Sequence, residues 1–136
     1  MTVVIPHNQH LEKFDEWNEE KKYLEGQWKR ALFKERDIFF LKAGKNIGFE
    51  QNGKWPKFAR PFIVLRKFNN EVFWWIPLTT KKKIWVYYHS FFFNNQEQTA
   101  ILSQLRLVDS KRMLDKIGMI NEDDFYFIKQ KIKNLL

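Results

Sequence analysis

Residues 60–68 (RPFIVLRKF) and 71–79 (EVFWWIPLT) are strand-like runs with apolar side chains on both alternate faces, separated only by Asn69-Asn70. Asparagine tolerates the positive φ of a two-residue hairpin turn, so the pattern predicts a β-hairpin with Phe68 opposite Glu71. Counted outward with no bulge, that register sets Arg60 across from Thr79, and cross-strand partners share a face. Strands apolar on both faces are buried on both sides or pack against a subunit, which makes a dimer a natural expectation.

Around this hairpin the pattern predicts a strand at residues 37–41, ended by Ala43-Gly44, and a polar, glycine-containing loop at residues 48–53. Further strands are expected at residues 84–93, closed by Asn94-Asn95, and at residues 100–108, followed by a helical turn and loop over residues 109–120 ending near Gly118. Asn121 and the acidic Glu122-Asp123-Asp124 then open a helix whose stripe is Phe125, Ile128, Ile132 and Leu135. Its lysines gather toward the C-terminal end, where the helix dipole favours cations. Near the N-terminus, Leu11, Phe14, Trp17, Leu24, Trp28 and Leu32 recur at helical spacing over residues 11–32, weakly interrupted by Gly26. That stripe either packs on the chain's own fold, which helical spacing favours, or binds a partner. The sum is a mainly β fold with helices: a small, strongly bent barrel closed by a C-terminal helix and preceded by an added N-terminal one.

Charge changes the picture. The chain of 136 residues carries 24 Lys+Arg against 16 Asp+Glu, yet residues 1–36 hold seven of each sign. Residues 42–83 hold ten basic residues against Glu50 and Glu71, a local excess equal to the net charge of +8. Interleaved with Trp55, Phe58 and Trp74, that excess suits a polyanion whose bases can stack, so single-stranded nucleic acid leads as the partner class. A solvated basic face or an acidic protein partner is the plainer alternative. There is no cysteine, which excludes disulfides and thiolate chemistry and is compatible with a reducing cytoplasmic setting. The N-terminus lacks a basic leader, and no run approaches the roughly 18 apolar residues a membrane span needs.

The order Gly48-Phe49-Glu50-Gln51, Gly53, Arg60-Pro61, Ile76-Pro77-Leu78-Thr79-Thr80 and Ser103-Gln104-Leu105-Arg106 resembles the MazF/PemK family of toxin endoribonucleases, over roughly residues 35–136. The resemblance implies a domain at 35–136 with an extension at 1–34, and an SH3-like barrel that forms a homodimer. It implies cofactor- and metal-independent, sequence-selective cleavage of single-stranded mRNA by the ribose 2′-hydroxyl. A cognate antitoxin would block the groove, and operator DNA would be reached only through that antitoxin. The family's essential arginine and threonine fall on Arg60 and Thr79, the pair that the hairpin register brings together. A fixed guanidinium would stabilise charge building on the phosphate, and the Thr79 hydroxyl would position phosphate or ribose. Glu50 is the first candidate for the proton acceptor and His89 the second, although a histidine on an aromatic strand face is more often structural. Gln51, Lys54, Lys57, Lys81, Gln104 and Arg106 are the expected RNA contacts, with Gln104 and Arg106 on one strand face. Two departures stand out: the insertion of residues 54–59 before Arg60, and Ser103 where family members often carry a carboxylate. The alternative function is a catalytically silent barrel of the same type that binds RNA or a protein.

Overall fold

The computed structural model describes residues 9–26, 30–42 and 59–136. Its elements run α1 (Gln9–Gly26), β1 (Asp37–Lys42), β2 (Ala59–Lys67), β3 (Val72–Thr79), β4 (Tyr88–Phe93), β5 (Gln96–Ile101), β6 (Arg106–Asp109), β7 (Met113–Met119) and α2 (Glu122–Leu135). The strands form one 7-stranded antiparallel sheet in the order β4-β5-β3-β2-β1-β7, with β6 also paired to β3.

β3 is the shared strand. One edge pairs with β2; the other pairs first with β6, from Val72 to Trp75, and then with β5, at Leu78 and Thr79. The unpaired interval between them is Ile76-Pro77, and a proline has no N–H to give a ladder. There the chain leaves β5, makes a 3-10 turn at Leu102–Gln104, and re-enters as β6. The Trp75 indole Nε1–H closes the gap by donating to the Gln104 carbonyl at 2.9 Å. The single strand expected over residues 100–108 is therefore two strands with a corner between them, and Gln104 and Arg106 do not share a strand face.

The hairpin carries two departures from the expected register, and they cancel. Three residues, not two, form the loop: Phe68 N–H bonds the Val72 carbonyl, and the Asn69 side-chain oxygen accepts from the N–H groups of Glu71 and Val72 at 2.7 and 3.0 Å. Leu65 is then an extra residue on β2, a bulge between the pairs Val64↔Trp75 and Arg66↔Trp74. Beyond it the ladder runs Ile63↔Ile76 and Phe62↔Pro77, the phase that directs Arg60 toward Thr79. The positive-φ asparagine pair is Asn94-Asn95, at +50° and +61°, which makes the tight turn between β4 and β5.

Both faces of β2 and β3 are covered within the chain, which accounts for their apolarity without a subunit. On one side Ile63, Leu65, Ile76 and Leu78 pack with Ile38, Phe91, Leu102 and the α2 residues Phe125 and Ile128. On the other, Phe62, Val64, Phe73 and Trp75 pack with Phe33, Phe39, Leu41, Val108 and Met113. α2 begins as expected, with the Asn121 side chain capping the Asp124 N–H.

α1 packs in cis: Trp17 and Leu24 are buried, Arg112 lies over the Trp17 ring at 5.6 Å, and Glu20 pairs with Lys42 at 2.7 Å. The helix is shorter than expected; Leu32 lies outside it and is exposed, and Trp28 falls outside the described residues. Two further corrections concern strands. Residues 84–87 are an exposed loop, not the start of β4, and residues 113–119 are strand β7, not a loop. β7 escapes a period-2 reading because it pairs with β1 through two register shifts.

Gly118 sits at one of those shifts with φ +156°, where a Cβ would stand 2.6 Å from Cζ of Phe93. Gly118→Ala should therefore destabilise the fold by about 1–3 kcal/mol, through strained backbone and a displaced ring. Thermal unfolding measures this, and an unchanged Tm would contradict the packing described.

Candidate functional site

The open end of the β2–β3 hairpin meets β5 in a cleft of about 450 Å³, lined by Phe40, Ala59, Arg60, Pro61, Leu78, Thr79, Thr80, Lys81, Gln96 and Gln98. Arg60 stands at the start of β2, followed by Pro61, whose ring fixes the backbone next to the guanidinium. Nη1 donates to the Leu78 carbonyl at 3.1 Å, tying the side chain to the strand that ends in Thr79. Burial pulls the Arg60 pKa below its usual value. An arginine nonetheless keeps its charge, so the cleft holds a partly desolvated cation. Such a cation gains when an anion replaces the water it has lost.

Thr79 is half-buried at the end of β3, opposite Thr99 of β5. Its Oγ1 accepts from the Lys81 N–H at 3.2 Å, which orients the hydroxyl oxygen and folds Lys81 over the same cleft. The expected trio Arg60, Thr79 and Lys81 is thus assembled in one place. Glu50, Gln51, Lys54 and Lys57 lie outside the described residues, as do Trp55 and Phe58.

Gln104 and Arg106 stand elsewhere than expected. Neither is among the described residues lining the cleft. Gln104 belongs to the corner between β5 and β6, where its carbonyl holds Trp75, and Arg106 lies over the Trp75 ring at 5.1 Å. Trp74 is partly exposed and meets Phe68 edge-on at 4.9 Å.

His89 turns toward α2. Nε2 lies 2.8 Å from Asp124 Oδ1, and Nδ1 lies 3.0 Å from Lys131 Nζ. A lysine ammonium can only donate, so Nδ1 accepts and Nε2–H donates to the carboxylate. Both ring nitrogens are thus engaged by side chains of α2.

Sequence reasoning missed Gln96, Gln98, Thr80 and Phe40. Taking Asn94-Asn95 as the tight turn would have started a strand at Gln96 and paired Phe93 with it. The basic excess also narrows. Lys42 is bound to Glu20, and Lys67 donates to the Phe33 carbonyl at 2.8 Å beneath its ring. Among the described residues, Arg60 and Lys81 are the basic groups that line the cleft.

A bent antiparallel sheet of this order, backed by a C-terminal helix, has the fold of the MazF toxins. The chain is similar in structure to MazF from Deinococcus radiodurans, with TM-score 0.61 and 15% identity over 77% of this chain and 96% of that one. It is similar also to an endoribonuclease solved with its cognate antitoxin from a mycobacterial species, with TM-score 0.58 and 8% identity over 76% and 93% of the two chains. A third likeness is the Mycobacterium tuberculosis toxin MazF-mt6, with TM-score 0.55 and 14% identity over 73% and 94%. No curated protein matches in sequence. Residues 34–136 match the model of the PemK-like, MazF-like toxins of type II toxin-antitoxin systems, and the chain belongs to that family.

His89→Ala should lower stability by about 1–3 kcal/mol, because Asp124 and Lys131 lose a partner in a partly buried setting. Oligonucleotide affinity at the cleft should stay unchanged. Urea unfolding and a binding titration on the same variant check both halves.

Proposed function

We propose that this chain is an endoribonuclease, the toxin half of a type II toxin-antitoxin pair, cleaving single-stranded RNA in the Arg60–Thr79 cleft. The observation carrying the proposal is the desolvated Arg60 guanidinium, fixed to the Leu78 carbonyl, in one cleft with the Thr79 hydroxyl and Lys81. Membership of the toxin family supports the same activity, as does the shared fold of the mycobacterial endoribonuclease.

In the reaction, the ribose 2′-oxygen attacks the adjacent phosphorus and loses its proton to a base, for which Glu50 is the residue proposed. The P–O5′ bond breaks and the departing 5′-oxygen takes a proton from solvent, giving a 2′,3′-cyclic phosphate and a 5′-hydroxyl. Arg60 stabilises the added charge on the non-bridging oxygens, which is largest in the transition state. Thr79 orients the phosphate or the attacking ribose, and Lys81 holds the flanking backbone. In this reading the cleavage is metal-independent, with these roles filled by side chains.

Gln51, Lys54 and Lys57 are proposed as further RNA contacts before Arg60. Gln104 and Arg106 lie outside the cleft of one chain and are kept as proposed RNA contacts, and a homodimer is proposed on the family resemblance. Sequence selectivity, a cytoplasmic location, an antitoxin lying across the groove and contact with operator DNA through that antitoxin complete the reading. Residues 35–136 form the toxin domain in this reading and 1–34 its extension, with α1 packed against the 3-10 turn that precedes β7. No described helix is long and apolar enough to cross a membrane.

Arg60→Ala should reduce cleavage by about 10²–10³-fold. Arg60→Lys should recover little of it, because an ammonium cannot give two aligned donors. Cleavage of a long mixed-sequence RNA in excess EDTA, with the product ends analysed, measures both. Activity in Arg60→Ala equal to the parent's would overturn the assignment.

A further inference from the structure

The loop joining β3 to β4, residues 80–87, begins in the cleft at Thr80 and Lys81 and contains three lysines and no acidic residue. Beyond the lysines it presents Ile84, Trp85 and Val86, which are 86%, 66% and 54% exposed. An apolar run is seldom left so open unless something covers it. Its backbone is nonetheless ordered: the Tyr88 N–H donates to the Trp85 carbonyl at 3.0 Å, and the Tyr87 carbonyl accepts from the Leu102 N–H at 2.8 Å. The Trp85 ring meets Tyr87 nearly perpendicularly, with centroids 4.9 Å apart, so the indole is braced while most of it stays open. The lysines are held nearby, Lys82 by Glu97 at 3.7 Å and Lys83 over the Tyr88 ring at 5.5 Å.

We propose that the Trp85 turn is a stacking platform for a nucleobase of the single strand as it leaves the Arg60–Thr79 cleft, a contact that rests on the RNA reading above. Two features choose this occupant. The first is continuity, since Lys81 both lines the cleft and opens the loop, so a backbone neutralised at Lys81 is led along the lysines toward the indole. The second is chemistry: a braced, exposed tryptophan among cations offers a π-face to a base and positive charge to its phosphates, the combination that holds single strands without reading sequence. Trp85 is then a binding residue remote from the bond that breaks. It should affect how long substrates bind, and should leave the chemical step alone.

The experiment compares the full chain with Trp85→Ala and Trp85→Phe on a long single-stranded RNA and on the shortest oligonucleotide still cleaved. Trp85→Ala should raise KM for the long RNA about tenfold, the loss of one base stack, with kcat and short-substrate cleavage unchanged. Trp85→Phe should restore most of the affinity. Equal KM for the long RNA in all three proteins would overturn the proposal and leave the turn to an acidic, apolar peptide. Equal impairment on long and short substrates would overturn it in favour of a structural role. If the parent chain cleaves nothing, the nuclease reading fails by itself. The platform is then tested by salt-dependent RNA binding, where a parent-like affinity in Trp85→Ala refutes it.

Discussion

The phase of the β2–β3 ladder is the constraint on which the cleft depends. Slipping one strand by a single residue would send every side chain of β3 to the opposite face. Arg60 would then face away from Thr79, and the two apolar layers would exchange contents. The phase is fixed twice over. Asn69 caps a three-residue loop through its side-chain oxygen, and Leu65 bulges to absorb the extra residue while keeping its own side chain in the core. Burial enforces it as well, since Phe62, Ile63, Val64, Phe73, Trp75 and Ile76 are all fully enclosed and none could be turned to solvent without losing about 1.5–3 kcal/mol.

β3 carries the second constraint. Pro77 interrupts hydrogen bonding on the edge it shares with β5 and β6, and the sheet bends there. The bend lets β5 cross the end of β3 and bring Gln96 and Gln98 to the cleft, while β6 covers the start of β3. The cleft follows from the same irregularity. Thr79 lies where β3 stops pairing with β2 and begins to pair with β5, so its hydroxyl faces a cleft at a strand end instead of the neighbouring strand. The guanidinium beside it is partly desolvated, which lowers its pKa.

Much of this was legible in the chain, and the parts that were not have physical causes. α2 announced itself through its cap, acidic first turn and apolar stripe, and the paired strands 60–67 and 72–79 through their two-faced apolarity. The phase that directs Arg60 toward Thr79 was right for a reason that no residue count could reveal: a loop one residue longer than expected and a bulge one residue long offset each other. Apolar content alone was misleading at Ile84-Trp85-Val86, which reads as strand yet lies open beyond the cleft. β7 was hidden because its register with β1 shifts twice, which destroys the alternation that identifies a strand. The corner at Leu102–Gln104 was hidden because apolar residues stand on both sides of it, and only the missing N–H of Pro77 on the facing strand marks where pairing must lapse. The roles of Glu50 and Gln51 rest on the family resemblance and those of Lys54 and Lys57 on the basic excess, and all four residues lie outside the described ones.

The central claim is that one phosphate is held between the Arg60 guanidinium and the Thr79 hydroxyl. The most direct measurement is an NMR titration of the protein with an RNA oligonucleotide blocked by 2′-O-methyl groups, following the Arg60 Nε–H and Thr79 signals. The account predicts that both shift together, in a salt-sensitive manner, with the same saturation point. Tight binding that leaves both signals in place would contradict it, because the scissile phosphate would then lie somewhere else on the barrel.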